Sequence, residues 1–284
     1  MTYLITQTLN GLFSAALLFL IASGLTLAFG VMKIVNIAHG SFYMLGVYVA
    51  YTVILRTQSL LLGAIVAVVV VASVGFLMQR FFLRRFGSDP LPQMMMTMGF
   101  ALLFRDGALM IWGGDPFNLP YPAALRGSLE AGDIVFPSYR LFVIFVAALV
   151  GVALWAVNEK TLIGARLRAT VDDPDMAAAT GIDVARLSGL VFAAGAGLAA
   201  FGGVMGGPIL GGYAGLDFDL LPLAFIVVIV GGMGSLKGAL VGSIVVGMID
   251  NYGKALVPEL SYFTLFAPMV LVLALKPTGL YGRA

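Results

Sequence analysis

Long apolar stretches separated by short polar ones follow one another along the whole chain. Many come close to the roughly 20 residues that a helix needs to cross a bilayer. The pattern predicts spanning or partly spanning helices at about residues 5–31, 38–55, 60–79, 92–112, 139–157, 187–211, 220–233, 238–253 and 261–275. Because the last segments are short, we expect about eight to ten transmembrane helices, some of them broken or short.

The composition indicates the same class. The 284 residues are 61% hydrophobic and 11% charged, whereas a soluble domain has about 25% charged residues to cover its surface. We therefore expect an all-α polytopic membrane protein, with residues 1–284 forming a single transmembrane domain. The chain has no cysteine and one histidine, which excludes thiolate and multi-histidine metal sites. No basic block is dense enough to predict a nucleic-acid partner.

Two polar stretches interrupt the apolar pattern, at about residues 116–137 and 159–186. In alternate connections, eleven Lys and Arg residues fall on one side of the membrane and four on the other, with Arg105 inside a segment. Connections rich in Lys and Arg stay on the cytoplasmic side. We therefore expect the 159–186 loop and the C-terminus in the cytoplasm, and the N-terminus outside.

Polar residues separate the first two apolar runs, within the segment V-M-K-I-V-N-I-A-H-G-S-F-Y-M at positions 31–44. Asn36, His39, Ser41 and Tyr43 are costly against hydrocarbon, so they are candidates for a translocation pathway inside the protein. A plain cytoplasmic turn, in which His39 caps a helix or packs against it, is the alternative that the spacing leaves open.

A second interruption is the glycine-rich stretch G-G-M-G-S-L-K-G at positions 231–238, which lies between two short apolar runs. Short, glycine-interrupted segments in both halves of a chain are typical of transport pathways built from broken helices. Gly232, Gly234 and Ser235 are therefore further pathway candidates. Close packing of helices through small residues would also account for them.

Arg105 and Asp106 are adjacent charges inside the predicted helix 92–112. Neighbouring residues on a helix do not face each other, so the pair need not neutralise itself. We expect either that each side chain reaches a separate partner or that the helix ends early. A structural ion pair and a contact with substrate are both open.

The 159–186 loop carries the signals of a short helix at residues 172–183. Acidic residues and Pro174 favour a helix start, an alanine run favours its continuation, and Gly181 favours its end. Such a helix is too polar for lipid and too short to be stable alone in water. We expect it to dock on a partner, and a solvated connecting helix is the alternative.

Three motifs together resemble those of the permeases of branched-chain amino acid ABC importers. N-I-A-H-G at 36–40, followed by Y-M-L-G at 43–46, is similar to their N-x-A-H-G signature, and 231–238 matches their G-G-x-G-S-x-x-G stretch. Residues 175–182 resemble their cytoplasmic coupling motif, which implies ATPase contacts at Asp175, Ala177, Ala178, Gly181 and Ile182. One departure is Ser41, because many members carry an acidic residue directly after His-Gly.

The resemblance covers nearly the whole chain and implies a transport subunit of a bacterial inner membrane, not an enzyme. It implies a second homologous permease subunit, two cytoplasmic ATPase subunits and a periplasmic substrate-binding protein as partners, besides membrane lipid. The sequence contains no G-x-x-x-x-G-K-[ST] motif, so we expect ATP and Mg²⁺ in the partner subunits and no cofactor in this chain.

The sequence leaves alternatives open for the substrate and for the class of transporter. Branched-chain or related amino acids are expected, but the wider family also includes permeases for urea, short amides and aromatic acids. An ion-coupled secondary transporter and a passive channel remain rival classes, although a chain with few buried ionisable groups offers little for a proton relay.

Overall fold

The computed structural model describes residues 2–87, 89–132 and 134–282. Within these ranges the chain forms eleven α-helices and one two-stranded antiparallel hairpin. The elements are α1 (Thr2–Met32), α2 (His39–Thr57), α3 (Leu60–Phe81), α4 (Pro90–Trp112), β1 (Ser128–Ala131), β2 (Ile134–Pro137), α5 (Ser138–Lys160), α6 (Leu162–Asp172), α7 (Pro174–Ala179), α8 (Val184–Leu210), α9 (Leu216–Gly231), α10 (Leu236–Leu256) and α11 (Ser261–Leu275).

The long helices confirm the all-α polytopic membrane fold. In the described part of the chain, α1, α3, α4, α5 and α8 are each long and apolar enough to cross a membrane. Helices α9 and α10 form a bent pair that supplies a sixth span if it is counted as one, and α11 is a shorter apolar helix. Each predicted segment coincides with one of these helices or with α2, to within a few residues at most ends.

Two elements were missed by the sequence analysis. The outer polar stretch contains the hairpin of β1 and β2, whose strands are too short for the spanning pattern; the packing of Phe136, 3% exposed, fixes it to the bundle. Asp133, which follows the first strand, lies outside the described residues. Helix α6 is rich in charge, so it carries no long apolar run, but Thr161 caps its start by accepting a hydrogen bond from Gly164 N–H at 3.2 Å.

The helix directions sort the loops to two ends of the bundle. Helix α1 runs antiparallel to α8 and α10 and parallel to α5, as three contacts show: Gly24 with Gly195, Gln7 with Asn251, and Asn10 with Arg140. The end of α1 therefore lies at the same end of the bundle as the 159–186 loop and the turn between α9 and α10. The backbone of the C-terminal segment joins this end too, where Leu280 N–H donates to the Val230 carbonyl at 2.9 Å. Arg283 lies outside the described residues.

The central helices pack backbone against backbone. A β-carbon built on Gly24 of α1 would lie 2.4 Å from the Gly195 carbonyl oxygen of α8. One built on Gly46 of α2 would lie 2.4 Å from the carbonyl oxygen of Ala200 on α8. Small residues permit this close approach between membrane helices, which is stabilised by van der Waals contact rather than by exclusion of water.

The peripheral helices bury little of their surface against this core. In their apolar windows, 17% of α4 and 11% of α5 is buried, compared with 78% of α1. Helix α4 contacts the rest of the chain through one narrow face, which carries Gln93, Thr97, Ala101 and Ala108. Its other faces are free to contact lipid or another subunit.

Candidate functional site

Helix α2 begins inside the bundle rather than at its edge. The ring Nε2 of His39, its first residue, lies 2.9 Å from the Ile21 carbonyl oxygen of α1. Ile21 is eleven residues before the end of α1, which is about 17 Å along a helix axis. The chain after Met32 must therefore fold back into the bundle before α2 starts, and irregular backbone at this depth is tolerated only where protein or water surrounds it.

Helix α9 starts beside the start of α2. The Ser41 hydroxyl donates a 2.8 Å hydrogen bond to Asp217 Oδ2, and a β-carbon on Gly40 would lie 2.3 Å from the Asp217 carbonyl oxygen. We call this meeting of two helix N-termini the α2–α9 junction, formed by His39, Gly40, Ser41 and Asp217. It joins parts of the chain that are 176 residues apart.

Two opposing effects act on a negative charge at the junction, since helix N-termini stabilise it and burial destabilises it. The N-terminus of a helix carries a partial positive charge, and the carboxyl group of Asp217 lies in the first turn of α9 while it also meets the first turn of α2. Asp217 is 2% exposed, and its Oδ1 has no hydrogen-bond partner among the described residues. Its carboxyl group is therefore held largely by one serine and two helix ends.

Asp217 was missed by the sequence analysis. The predicted segment began at residue 220, so the acidic residues at 217 and 219 fell outside it. The available signal was the pair of aspartates within the first turn of an apolar helix that follows a glycine-rich turn, where they favour a helix start.

The four candidates of the first interruption all lie inside the protein. Asn36, His39 and Ser41 are each at most 1% exposed, as is Tyr43. They avoid lipid, as predicted, and the first turn of α2 is buried rather than exposed. His39 packs on α1, which the alternative also allowed, so the pathway role of these residues stays a prediction. Neither amide atom of Asn36 nor the hydroxyl of Tyr43 has a partner among the described residues, and an unmet buried polar group costs about 1–3 kcal/mol.

The glycine-rich stretch lies elsewhere, at the end of the bundle that holds the 159–186 loop. Gly232 and Gly234 have φ of +103° and +81°, and the direction of the chain changes by 117° between α9 and α10. Ser235 caps α10 by accepting from Gly238 N–H at 3.0 Å. The Cα of Gly234 is 3.5 Å from a β-carbon built on Gly30, so the turn packs on the end of α1. The structure does not bring this stretch to the α2–α9 junction.

The expectation that Arg105 and Asp106 reach separate partners, or that the helix ends early, was wrong. Helix α4 continues to Trp112, and Arg105 Nε lies 3.4 Å from Asp106 Oδ1, so the neighbours do pair with each other. The guanidinium also lies 5.7 Å from the ring centre of Phe218 on α9. Both side chains are partly exposed at the surface of the chain, where a charge facing lipid costs about 2.5–3.5 kcal/mol on insertion scales.

The short helix of the loop is present as α7. The Asp173 carboxylate accepts hydrogen bonds from the N–H groups of Asp175 and Met176, at 3.1 and 2.9 Å, and Gly181 has a φ of +89° just beyond the end of the helix. The helix is shorter than predicted at both ends, because Asp173 caps its start and Thr180 caps its end, just before Gly181.

The predicted ATPase-contact residues of α7 and the turn after it differ in exposure. Ala177 is 4% exposed, so its side chain contacts this chain and not a partner, whereas Asp175, Ala178 and Gly181 are exposed and Ile182 is half-buried. Met176, which the sequence analysis did not single out, is 62% exposed and is the large apolar side chain of the outward surface.

Antiparallel apolar helices, a polar junction inside them and a charged loop at one end define an α-helical integral membrane protein. Residues 7–274 match the family described as "Branched-chain amino acid transport system / permease component". The chain belongs to this family. It is thus a transport component of a multi-subunit system, and not an enzyme.

Individual relatives are similar over nearly their whole length. The high-affinity branched-chain amino acid transport system permease protein LivH of Salmonella typhimurium is 29% identical, over 99% of this chain and 96% of its own. The corresponding protein BraD of Pseudomonas aeruginosa is 28% identical, over 98% and 95%. Among solved structures, PsaBC from Streptococcus pneumoniae in complex with Fab has the same fold, with a TM-score of 0.51, 15% identity and coverage of 96% and 92%.

Proposed function

We propose that this chain is a permease subunit of a binding-protein-dependent ABC importer that moves branched-chain or related amino acids across a bacterial inner membrane. The family match over residues 7–274 carries the proposal. The names of LivH and BraD, both branched-chain amino acid permeases, support the substrate class. Urea, short amides and aromatic acids are the alternative cargoes.

The proposed assembly contains a second homologous permease subunit, two cytoplasmic ATPase subunits and a periplasmic substrate-binding protein. ATP with Mg²⁺ would bind the ATPase subunits, since the sequence here has no phosphate-binding loop of the G-x-x-x-x-G-K-[ST] form. Binding and release of ATP would shift the permease pair between two conformations for which the partners have different affinities.

The proposed orientation places the basic end of the bundle in the cytoplasm. This end holds the 159–186 loop and the turn between α9 and α10, and it collects most of the Lys and Arg residues outside the helices. The N-terminus and the β1–β2 hairpin would then face the periplasm, and the C-terminus the cytoplasm. Residues 1–284 act as one permease domain in this proposal.

Helix α7 is the proposed contact with the ATPase subunit. Ala177 seats the helix on this chain, and the opposite side presents Met176 and Ala178. Asp175 lies at the positive N-terminal end, and Gly181 and Ile182 lead the chain away. A helix of six residues is far below the length that is stable alone, so contacts on both sides are needed to hold it.

The buried candidates would stabilise the helices beside the pathway rather than contact the substrate. Asn36, His39, Ser41 and Tyr43 fix where α2 starts, and thereby where the irregular segment 33–38 crosses the bundle. Gly232, Gly234 and Ser235 form the turn at the cytoplasmic end, where a change of angle between α9 and α10 would open or close that side.

Reconstitution tests the proposal and separates its rivals. The permease pair in liposomes should accumulate leucine only with the ATPase subunits, ATP and the binding protein present. Accumulation driven by a proton or sodium gradient in the absence of the ATPase would identify a secondary transporter. Equilibration without any energy source would identify a channel.

A substitution in α7 tests the coupling role. Ala178→Trp should abolish co-purification of the ATPase subunits and the stimulated ATP hydrolysis, because the bulky ring prevents a close approach. Ala124→Trp is the matched control, since Ala124 is also exposed but lies in the outer loop before the hairpin. If Ala178→Trp retains the ATPase subunits as well as the control does, the coupling role of α7 is wrong.

A further inference from the structure

Helix α4 presents Asp106 on the surface that faces away from its own chain, with Arg105 beside it on the side towards α9. Its buried residues, which include Thr97 and Ala101, lie along one face, and successive residues turn by about 100°. Asp106 falls on the opposite face. Its side chain is 63% exposed, and that of Arg105 is 37% exposed.

The pair lies at hydrocarbon depth. Helix α4 has 23 residues, about 34 Å of helix, and a bilayer core is about 30 Å thick. Arg105 and Asp106 precede its last residue, Trp112, by seven and six residues, which places them about 10 Å from that end. Ionisable residues at this depth face a bundle interior or a water-filled cavity. Asp106 faces neither within this chain, so another subunit must complete such a space beside α4.

Apolar side chains surround the pair on the same outward surface. Leu102, Leu109 and Met110 are all exposed there, within one or two turns of Asp106. The ring of Phe218 at the start of α9 lies 5.7 Å from the Arg105 guanidinium and so keeps this cation between the two helices. A cation, an anion and an aliphatic surface are therefore presented together.

These groups complement a zwitterionic amino acid with an aliphatic side chain. The guanidinium matches a carboxylate in charge and geometry, and the Asp106 carboxylate, 3.4 Å from it, matches an ammonium group. A neutral amide or urea uses neither charge fully, and an aromatic acid uses one of them.

We propose that the Arg105–Asp106 pair is a contact point for the zwitterionic backbone of the substrate, in a pathway between this chain and the second permease subunit. The inference rests on the proposed function and deepens it, since it places the pathway on the outer surface of α4 and α9 and leaves the buried α2–α9 junction as its support.

The test uses the complete reconstituted importer with its binding protein and radiolabelled leucine. Arg105→Gln and Asp106→Asn should each reduce ATP-driven leucine uptake at least tenfold. Co-purification of the second permease and ATP hydrolysis stimulated by the loaded binding protein should stay within about twofold of wild type, so that fewer leucine molecules move per ATP. Arg80→Gln, which removes an exposed arginine at the basic end, is the matched control and should leave the ratio unchanged.

Four results have defined meanings. Uptake per ATP at the wild-type level in both variants overturns the contact, and so does loss of the second permease from either variant, which would make the pair a subunit contact. If the wild-type complex shows no ATP-driven leucine uptake, the proposed function itself fails and this inference falls with it. Normal wild-type uptake with selective loss in the variants supports both.

Discussion

The hydrogen bond between Ser41 and Asp217 should be the most costly polar contact to remove from the α2–α9 junction. Ser41→Ala deletes the 2.8 Å donor to Asp217 Oδ2 in a site where both residues are at most 2% exposed. Asp217 Oδ1 already lacks a partner among the described residues, so the variant leaves the carboxyl group with no side-chain donor there. Leaving a buried acceptor without its donor costs about 1–3 kcal/mol.

Ser23→Ala is the matched control for this prediction. Ser23 is also fully buried, but its hydroxyl donates to the Leu20 carbonyl one turn back in the same helix, at 3.0 Å. That bond joins no second element, and its removal should cost at most about 0.5 kcal/mol. We expect Ser41→Ala to lower the free energy of unfolding by about 2 kcal/mol.

The assay is equilibrium unfolding of the purified permease in mixed micelles, followed by tryptophan fluorescence during titration with a denaturing detergent. Asp217→Asn, which keeps an acceptor for Ser41 but replaces the carboxyl group between the two helix N-termini, should fall between the two serine variants. Equal losses for Ser41→Ala and Ser23→Ala would refute the reasoning, because the junction would then contribute no more than a local turn.

Four further substitutions test packing, capping and one hydrogen bond. Gly46→Ala should lower the free energy of unfolding by about 1–3 kcal/mol, because its β-carbon meets the α8 backbone at 2.4 Å; Gly107→Ala, with nothing within 4 Å, should raise it by up to about 1 kcal/mol in the same titration. Gly181→Ala has open space but a φ of +89°, so it should weaken α7 by about 1–2 kcal/mol, visible as faster amide exchange there. Trp112→Phe, which loses the 2.7 Å bond from its indole N–H to Thr52, should cost about 1 kcal/mol; an unchanged unfolding midpoint would contradict that role.

The spanning helices could be predicted because each carries its signal locally. Long apolar runs and their bounding polar residues set where α1, α3, α5 and α8 begin and end, and neither depends on contacts with the rest of the chain. The start of α7 was predictable for the same reason, since an acidic cap, a proline and a terminal glycine lie within ten residues. Helix α6 was missed because its charged residues leave it without the long apolar run by which the other helices were predicted.

The junction could not be predicted, because its partners are remote in the chain. The polarity of Ser41 indicates a buried position but not that its acceptor is Asp217 on α9. The exposed side of α4 could not be predicted either. Hydropathy does not distinguish a helix in the core from one at the surface, so the sequence could not show that Asp106 faces outward while Asn36 faces inward. The glycine-rich stretch was recognised correctly as a break, but its distance from the first interruption needed the fold.

The direct contact of Gly24 with Gly195, and of Gly46 with Ala200, has a consequence for how a permease of this kind moves. Where two backbones touch, no layer of side chains can change rotamer to absorb a sliding motion. Helices α1, α2 and α8 should therefore travel as one rigid body, and strain applied at α7 would be transmitted through that body without loss to the opposite face of the membrane. Opening and closing would then occur outside this rigid body, at the contacts between subunits and at the turn between α9 and α10.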